Sequence, residues 1–205
     1  MKKIRILALL PCLLILSCER DNRAAFNRAT EEFAGWYTCV YCDVGEDIDI
    51  NNDSLSHGGD LLAEIEGTTA IRAMLHHGAA VSTPLNPNDE VSIVLQVPIQ
   101  QLHQWDVDAP YYLENIIPMQ VTFRFFIDED GGIHILDGYE IDDFFKVKNV
   151  YSKNEHFKDI GDFEVLSNAN STLSVRGVVP YYDFKTATLK QYTIILRYVK
   201  NNYDV

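Results

Sequence analysis

From Glu90 onward the chain is written in one texture, and that texture limits the folds open to it. The segments EVSIVLQVPI, IPMQVTFRFFID, GIHILDGYEI, STLSVRGVVPYYDF and TLKQYTIILRYVKN are rich in Val, Ile, Tyr, Phe and Thr, residues that suit a pleated surface. Several alternate apolar and polar residues, as strands with one buried face do. They follow one another with no helical segment between them, which argues against a parallel α/β sheet and for an antiparallel one. IDEDGGIHI reads as a hairpin around Asp130-Gly131-Gly132. Upstream, residues 24–34 place Phe26, Ala29, Thr30 and Phe33 at helical spacing. GWYTCVYCDV is a first strand, and DLLAEIEG is a short helix stopped by Gly67, with TAIRAML as its extension. Residues 31–205 are therefore expected to form a single antiparallel β-barrel or β-sandwich with a short helical insertion near residues 60–76.

The opening MKKIRILALLPCLLILSC has a basic start at Lys2, Lys3 and Arg5, an apolar run from Ile6 to Leu16, and Ser17 before Cys18. This is the pattern of a secretory signal peptide. Its last four residues, Ile15-Leu16-Ser17-Cys18, resemble the bacterial lipobox. The resemblance implies that residues 1–17 are removed, that Cys18 is lipidated, and that residues 18–30 tether the domain to a membrane of the Gram-negative envelope. More than one acyl chain is needed for stable anchoring. Glu19 stands where many inner-membrane lipoproteins carry a retaining aspartate, which points to the outer membrane. The formal net charge of −13 grows more negative once the basic start is removed. Such a surface repels nucleic acid. In WYTCVYC the two cysteines are three apart, and such residues point to opposite faces of a regular strand. Cys39 and Cys42 are thus expected as two half-buried thiols and not as a disulfide.

One turn concentrates acidic and amide side chains: DINNDSLSHGGDL, Asp49 to Leu61. Laid on an oxygen-ligand loop, Asp49, Asn51 and Asp53 take positions 1, 3 and 5. Leu55 takes position 7, where a backbone carbonyl serves, and Asp60 takes position 12. The pattern resembles the calcium loop of dockerins and, more loosely, of EF-hands, which implies a structural calcium ion held by Asp49, Asn51, Asp53, Leu55 and Asp60. Ser54 departs from the glycine usual at position 6, and Asp60 from the longer glutamate. Asp47 could extend the cluster. The alternative is an Asx-rich turn in which Asp60 caps a helix.

The same stretch echoes the GDSL block of SGNH-type hydrolases, with Ser54 as nucleophile. That chemistry needs a late Asp-x-x-His, which the chain lacks, and no α/β scaffold surrounds it. His57, His76, His77, His103, His134 and His156 show no metal-ligand spacing. The carboxylates of DEDGG and EIDDFF read as solvated hairpin charges. An enzyme is not expected.

EEFAGWYT followed by meander-like strands is similar to the opening of lipocalin-like barrels. There a tryptophan packs across the closed end beneath an arginine of the last strand, which implies Trp36 and Arg197 in those roles. Gly35 and Trp36 are adjacent here, a departure from Gly-x-Trp. An antiparallel sandwich with Trp36 buried is the alternative. The aromatics Trp105, Tyr111, Tyr112, Tyr181 and Tyr182 combine an apolar body with a polar tip and suit a binding surface or the packing of strand ends. Two functions are expected from these features. One is a lipid-anchored binding module for an apolar ligand or a glycan, with a calcium staple. The other is a structural or interaction subunit that contacts an envelope protein and has no small-molecule site.

Overall fold

The computed structural model describes residues 23–55, 57–106, 108–141, 159–169 and 171–201. Residues 1–22, which hold the expected signal sequence, Cys18 and the start of the expected tether, lie outside them, as do residues 142–145 of EIDDFF and His156. Helix α1 covers residues 23–33. It is followed by β1 (Gly35–Asp43), α2 (Leu61–Glu64), α3 (Thr69–His77), β2 (Ala79–Val81), β3 (Val91–His103), β4 (Tyr112–Ile127), β5 (Ile133–Ile135), β6 (Glu140–Ile141), β7 (Gly161–Ser167), β8 (Thr172–Asp183) and β9 (Thr188–Lys200). All pairings are antiparallel. The strands run in the order β5-β4-β3-β2-β1-β9-β8-β7, with β6 also on β4, and curl into a nearly closed eight-strand barrel. The expected helical insertion is two helices, separated at Gly67 (φ +81°). No helix among the described residues is long and apolar enough to cross a membrane.

Alternation decides which side chains fill the barrel. In β9, Tyr192, Ile194, Leu196 and Tyr198 point inward while their neighbours face solvent. Phe125, Ile93, Leu95, Tyr37 and Tyr181 join them in one continuous core. Strand prolines would break a ladder, because proline has no N–H to give. Pro98 and Pro118 oppose each other, and both lie beyond the short second ladders to β2, β5 and β6. Pro180 likewise lies past the last rung to β7.

Helix α1 closes one end. Phe26 and Phe33 are buried, Phe33 meets Phe125 edge-on at 5.0 Å, and Tyr37 Oη donates to Phe33 O at 2.6 Å. Where β7 and the β5–β6 edge approach without a ladder, Tyr139 bridges them. Its hydroxyl accepts the Asp162 N–H at 3.0 Å and its ring packs on Phe163 at 5.5 Å. The opposite end is tied by Gln100, buried on β3. Its amide nitrogen donates to Ile50 O (2.7 Å) and Tyr182 O (2.9 Å), and its oxygen accepts Tyr182 N–H (2.7 Å).

Three expectations are corrected here. The thiols of Cys39 and Cys42 both face the core, because a bulge between Cys39 and Tyr41 adds a residue and restores the inward direction. They are fully buried free thiols. Burial pushes Cys39 up to about 12 and Cys42 well above the ordinary range, which leaves both as inert apolar fillers. Trp36 does not close the barrel. With Tyr37 and Cys39 inward, it faces outward, 56% exposed, against His77 at 5.0 Å. Arg197 lies over the Tyr41 ring instead, at 5.2 Å.

Gln100 satisfies three partners that a leucine of similar size would abandon. Gln100→Leu is expected to lower the unfolding free energy by about 2–4 kcal/mol, since each orphaned buried group costs on the order of 1–3 kcal/mol. Urea melts of the two proteins measure the difference.

Candidate functional site

Two features share the Gln100 end of the barrel: the acidic turn after β1 and a run of aromatic rings. The turn is seated on the β8–β9 hairpin. Asp49 N–H donates to Asp183 Oδ1 at 3.1 Å and Phe184 N–H to Asp49 O at 2.9 Å. Lys185 pairs with Asp47 at 2.5 Å and Lys190 with Glu46 at 2.9 Å. Asp47 thus helps to fasten the turn to the hairpin.

Within the turn, each side chain organises the backbone just ahead of it. The buried Asp49 carboxylate accepts Asn52 N–H (2.7 Å) and Ser54 N–H (3.2 Å). Asn51 Oδ1 accepts Asp53 N–H at 3.0 Å, and Asp53 Oδ1 accepts Leu55 N–H at 2.7 Å. Asn52 (φ +62°) and Ser54 (φ +65°) are left-handed, so Ser54 takes the conformation that glycine usually supplies at position 6 of a calcium loop. Asp60 Oδ1 accepts Leu62 N–H (2.9 Å) and Ala63 N–H (3.4 Å), which makes it the cap of α2.

A hard cation asks for oxygen donors on a sharp turn. Asp49, Asn51, Asp53 and the Leu55 carbonyl answer that in donor type and order. All three side chains already accept hydrogen bonds within the turn, and Asp60, at position 12, caps α2 through Oδ1. Among the described residues no group of three or more His, Cys, Asp or Glu side chains is gathered closely enough to hold a metal.

Glu64, which the motif did not single out, lies beneath this turn. It is fully buried. Its Oε2 accepts Ile50 N–H at 3.1 Å, and its backbone carbonyl accepts Asn51 Nδ2 at 2.8 Å. Its Oε1 is buried with no hydrogen-bond partner, as is His57 Nε2. Burial pushes the Glu64 carboxyl up to about 7, against the opposing pull of the Ile50 N–H.

The aromatic run begins on the β3–β4 hairpin, where β3 His103 pairs with β4 Tyr112. His103 packs on Trp105 at 4.9 Å and on Tyr112 at 4.9 Å, while Trp105 stacks on Tyr112 at 5.7 Å and 28°. Trp105 is 79% exposed. Beside them Tyr111 meets Tyr182 at 5.0 Å, and Tyr182 meets Phe184 at 4.9 Å. Tyr181 is apart from this group. It is fully buried, and its hydroxyl donates to Pro98 O at 2.6 Å. Sequence reasoning passed over His103 and Phe184 as members, because only the strand register and the hairpin reveal their partners.

No family model, curated protein or solved structure matches the chain. Its site is read from its own residues.

Since the folded pKa of Glu64 lies above the ordinary value of 4.5, the stability this group contributes is present below that value. It is lost as pH rises through about 7. In chelator-containing buffer, Glu64→Gln is expected to remove this slope between the two values. At pH 8 the variant should exceed the wild type by on the order of 1–3 kcal/mol. Paired melts across that pH range check the sign.

Proposed function

We propose that this chain is a lipid-anchored envelope binding module whose recognition surface is the aromatic end of the barrel. The observation that carries the reading is the exposed stack of His103, Trp105 and Tyr112. Large aromatic faces are costly to leave in water, and an exposed indole beside a tyrosine offers the flat, amphipathic platform on which a sugar ring lies. Between a glycan and an apolar ligand, the filling of the barrel by fully buried Tyr37, Tyr181, Tyr198 and Phe125 supports the glycan on the surface.

The position of the stack supports an anchor at Cys18. Helix α1 begins at residue 23 and caps the other end, so lipid on Cys18 would hold the α1 end near the membrane. The 13 residues of β3, on the order of 40 Å of strand at about 3.3 Å per residue, then separate the stack from that end. The left-handed turn from Asp49 to Leu55, with its ordered oxygen donors, supports calcium as a staple at the same end.

A second reading, an interaction subunit of an envelope complex, has its own support. The outer wall of β1 and β9 leaves Val40, Tyr41, Ile195 and Val199 substantially exposed, an apolar strip suited to a protein partner.

Titration of the protein with neutral pyranose oligosaccharides, read by tryptophan fluorescence and calorimetry, tests the first reading. Trp105→Ala is expected to weaken binding at least about tenfold, as loss of a central aromatic anchor does. Its stability should remain within about 0.5 kcal/mol, because the ring is mostly solvated. Oligosaccharides that bind neither protein would overturn the glycan reading. Separately, Cys18→Ser is expected to release the protein from the membrane fraction and abolish fatty-acid labelling.

A further inference from the structure

After Trp105, Leu85 is the most exposed large apolar side chain among the described residues, 77% open to water. The loop that carries it, between β2 and β3, is tied down on both sides. Asn86 N–H and Nδ2 donate to Asp89 Oδ2 at 2.8 and 3.2 Å, Asn88 N–H donates to Ile127 O at 2.8 Å, and Pro84 is buried. One exposed leucine is ordinary on a protein surface. What sets this one apart is its place. Its carbonyl accepts Arg23 Nη2 at 3.5 Å, which puts the loop beside the start of α1, and Gly131 of the β4–β5 hairpin lies against Ala25 there. Trp36, the second residue of β1, is turned outward at the same end of the barrel and is 56% exposed.

Cys18 stands five positions before Arg23. Five residue steps span at most about 18 Å, at no more than about 3.6 Å each. An acylated Cys18 therefore keeps Arg23 within that distance of the headgroups, and the Leu85 loop touches Arg23. We propose that the α1 end of the barrel docks on a bilayer of neutral headgroups, with Leu85 inserted into the interface and Trp36 at its rim. The inference rests on the lipid anchor at Cys18 proposed above and adds a contact made by the protein itself. A leucine suits the acyl boundary, and an indole, apolar with one polar N–H, suits the headgroup level. Exposed Glu129 and Asp130 on the neighbouring hairpin would be repelled by anionic lipid, so apolar insertion and not a basic patch makes the contact. Lipid on one residue fixes position without fixing orientation. A second contact fixes both, and keeps the aromatic stack turned away from the bilayer.

The chain has two tryptophans, Trp36 at this end and Trp105 at the other, so each serves as a native probe. Lipidated full-length protein is reconstituted in phosphatidylcholine vesicles with and without brominated acyl chains. Trp36, read in Trp105→Phe, is expected to lose emission to the bromines, whereas Trp105, read in Trp36→Phe, is not. Leu85→Cys, labelled with an environment-sensitive dye, should shift its emission to the blue on reconstitution. The buried thiols of Cys39 and Cys42 stay out of reach of the label. Protein that is acylated and vesicle-bound, with Trp36 unquenched and the dye at position 85 still in water, overturns the docking and leaves the anchor intact. Quenching of Trp105 in place of Trp36 overturns it as well, since the barrel then stands the other way round. Protein with no acyl chain on Cys18 that stays off the vesicles overturns the anchor and the docking with it.

Discussion

The Gln100 amide joins three parts of the chain that no ladder connects: β3, β8 and the turn after β1. A barrel of antiparallel strands holds its wall by backbone pairing, but its ends have no such device. Backbone groups that enter the interior there must find partners or forfeit their hydration. One side chain with two donors and an acceptor meets that need at Ile50 and Tyr182 together. The turn is thereby held over the barrel mouth, and Asp183 adds a second grip through the Asp49 N–H. Everything distinctive at this end, the acidic turn, buried Glu64 and the Tyr182–Phe184 rings, stands on that attachment.

The two ends of the barrel are built on different principles. At the α1 end Phe26 and Phe33 plug the interior, and hydrocarbon does the sealing. At the Gln100 end the seal is polar and buried, and such networks are stable only when every member is satisfied. This one is satisfied at Gln100 and Asp183 and incomplete at Glu64. The aromatic stack is separate from it in physical kind. It exposes apolar area without burying charge, and its reach is set by the long β3–β4 pair and not by the turn.

Much of this architecture was legible before any coordinates. The alternation in β8 and β9, the Asp130-Gly131-Gly132 hairpin, the helix around Phe26 and Phe33 and the antiparallel class all follow from local periodicity. The same local reasoning misplaced Cys42, because it assumed a regular strand. One extra residue at the bulge reverses the direction of every later side chain, and the sequence carries no mark of it. Trp36 was drawn inward by its likeness to a lipocalin opening, whereas the alternation through Tyr37 and Cys39 leaves it outside. The turn from Asp49 was readable down to the left-handed demand at Ser54, since the hydrogen bonds that Asp49, Asn51 and Asp53 accept from the backbone ahead of them span five residues or fewer.

The amino-acid order alone therefore determined the strands, the turns, the acidic surface and the local conformation of the Asp49–Leu55 turn, all set by interactions between residues near in sequence. The tertiary structure decided what meets across the barrel. It brought Gln100 to Ile50 and Tyr182, His103 to Tyr112, and Glu64 under Ile50, and it sent Tyr181 into the core. These are matters of register, closure and desolvation, which depend on residues dozens of positions apart. A carboxylate at position 64 reads as one more exposed helix charge until folding removes its water.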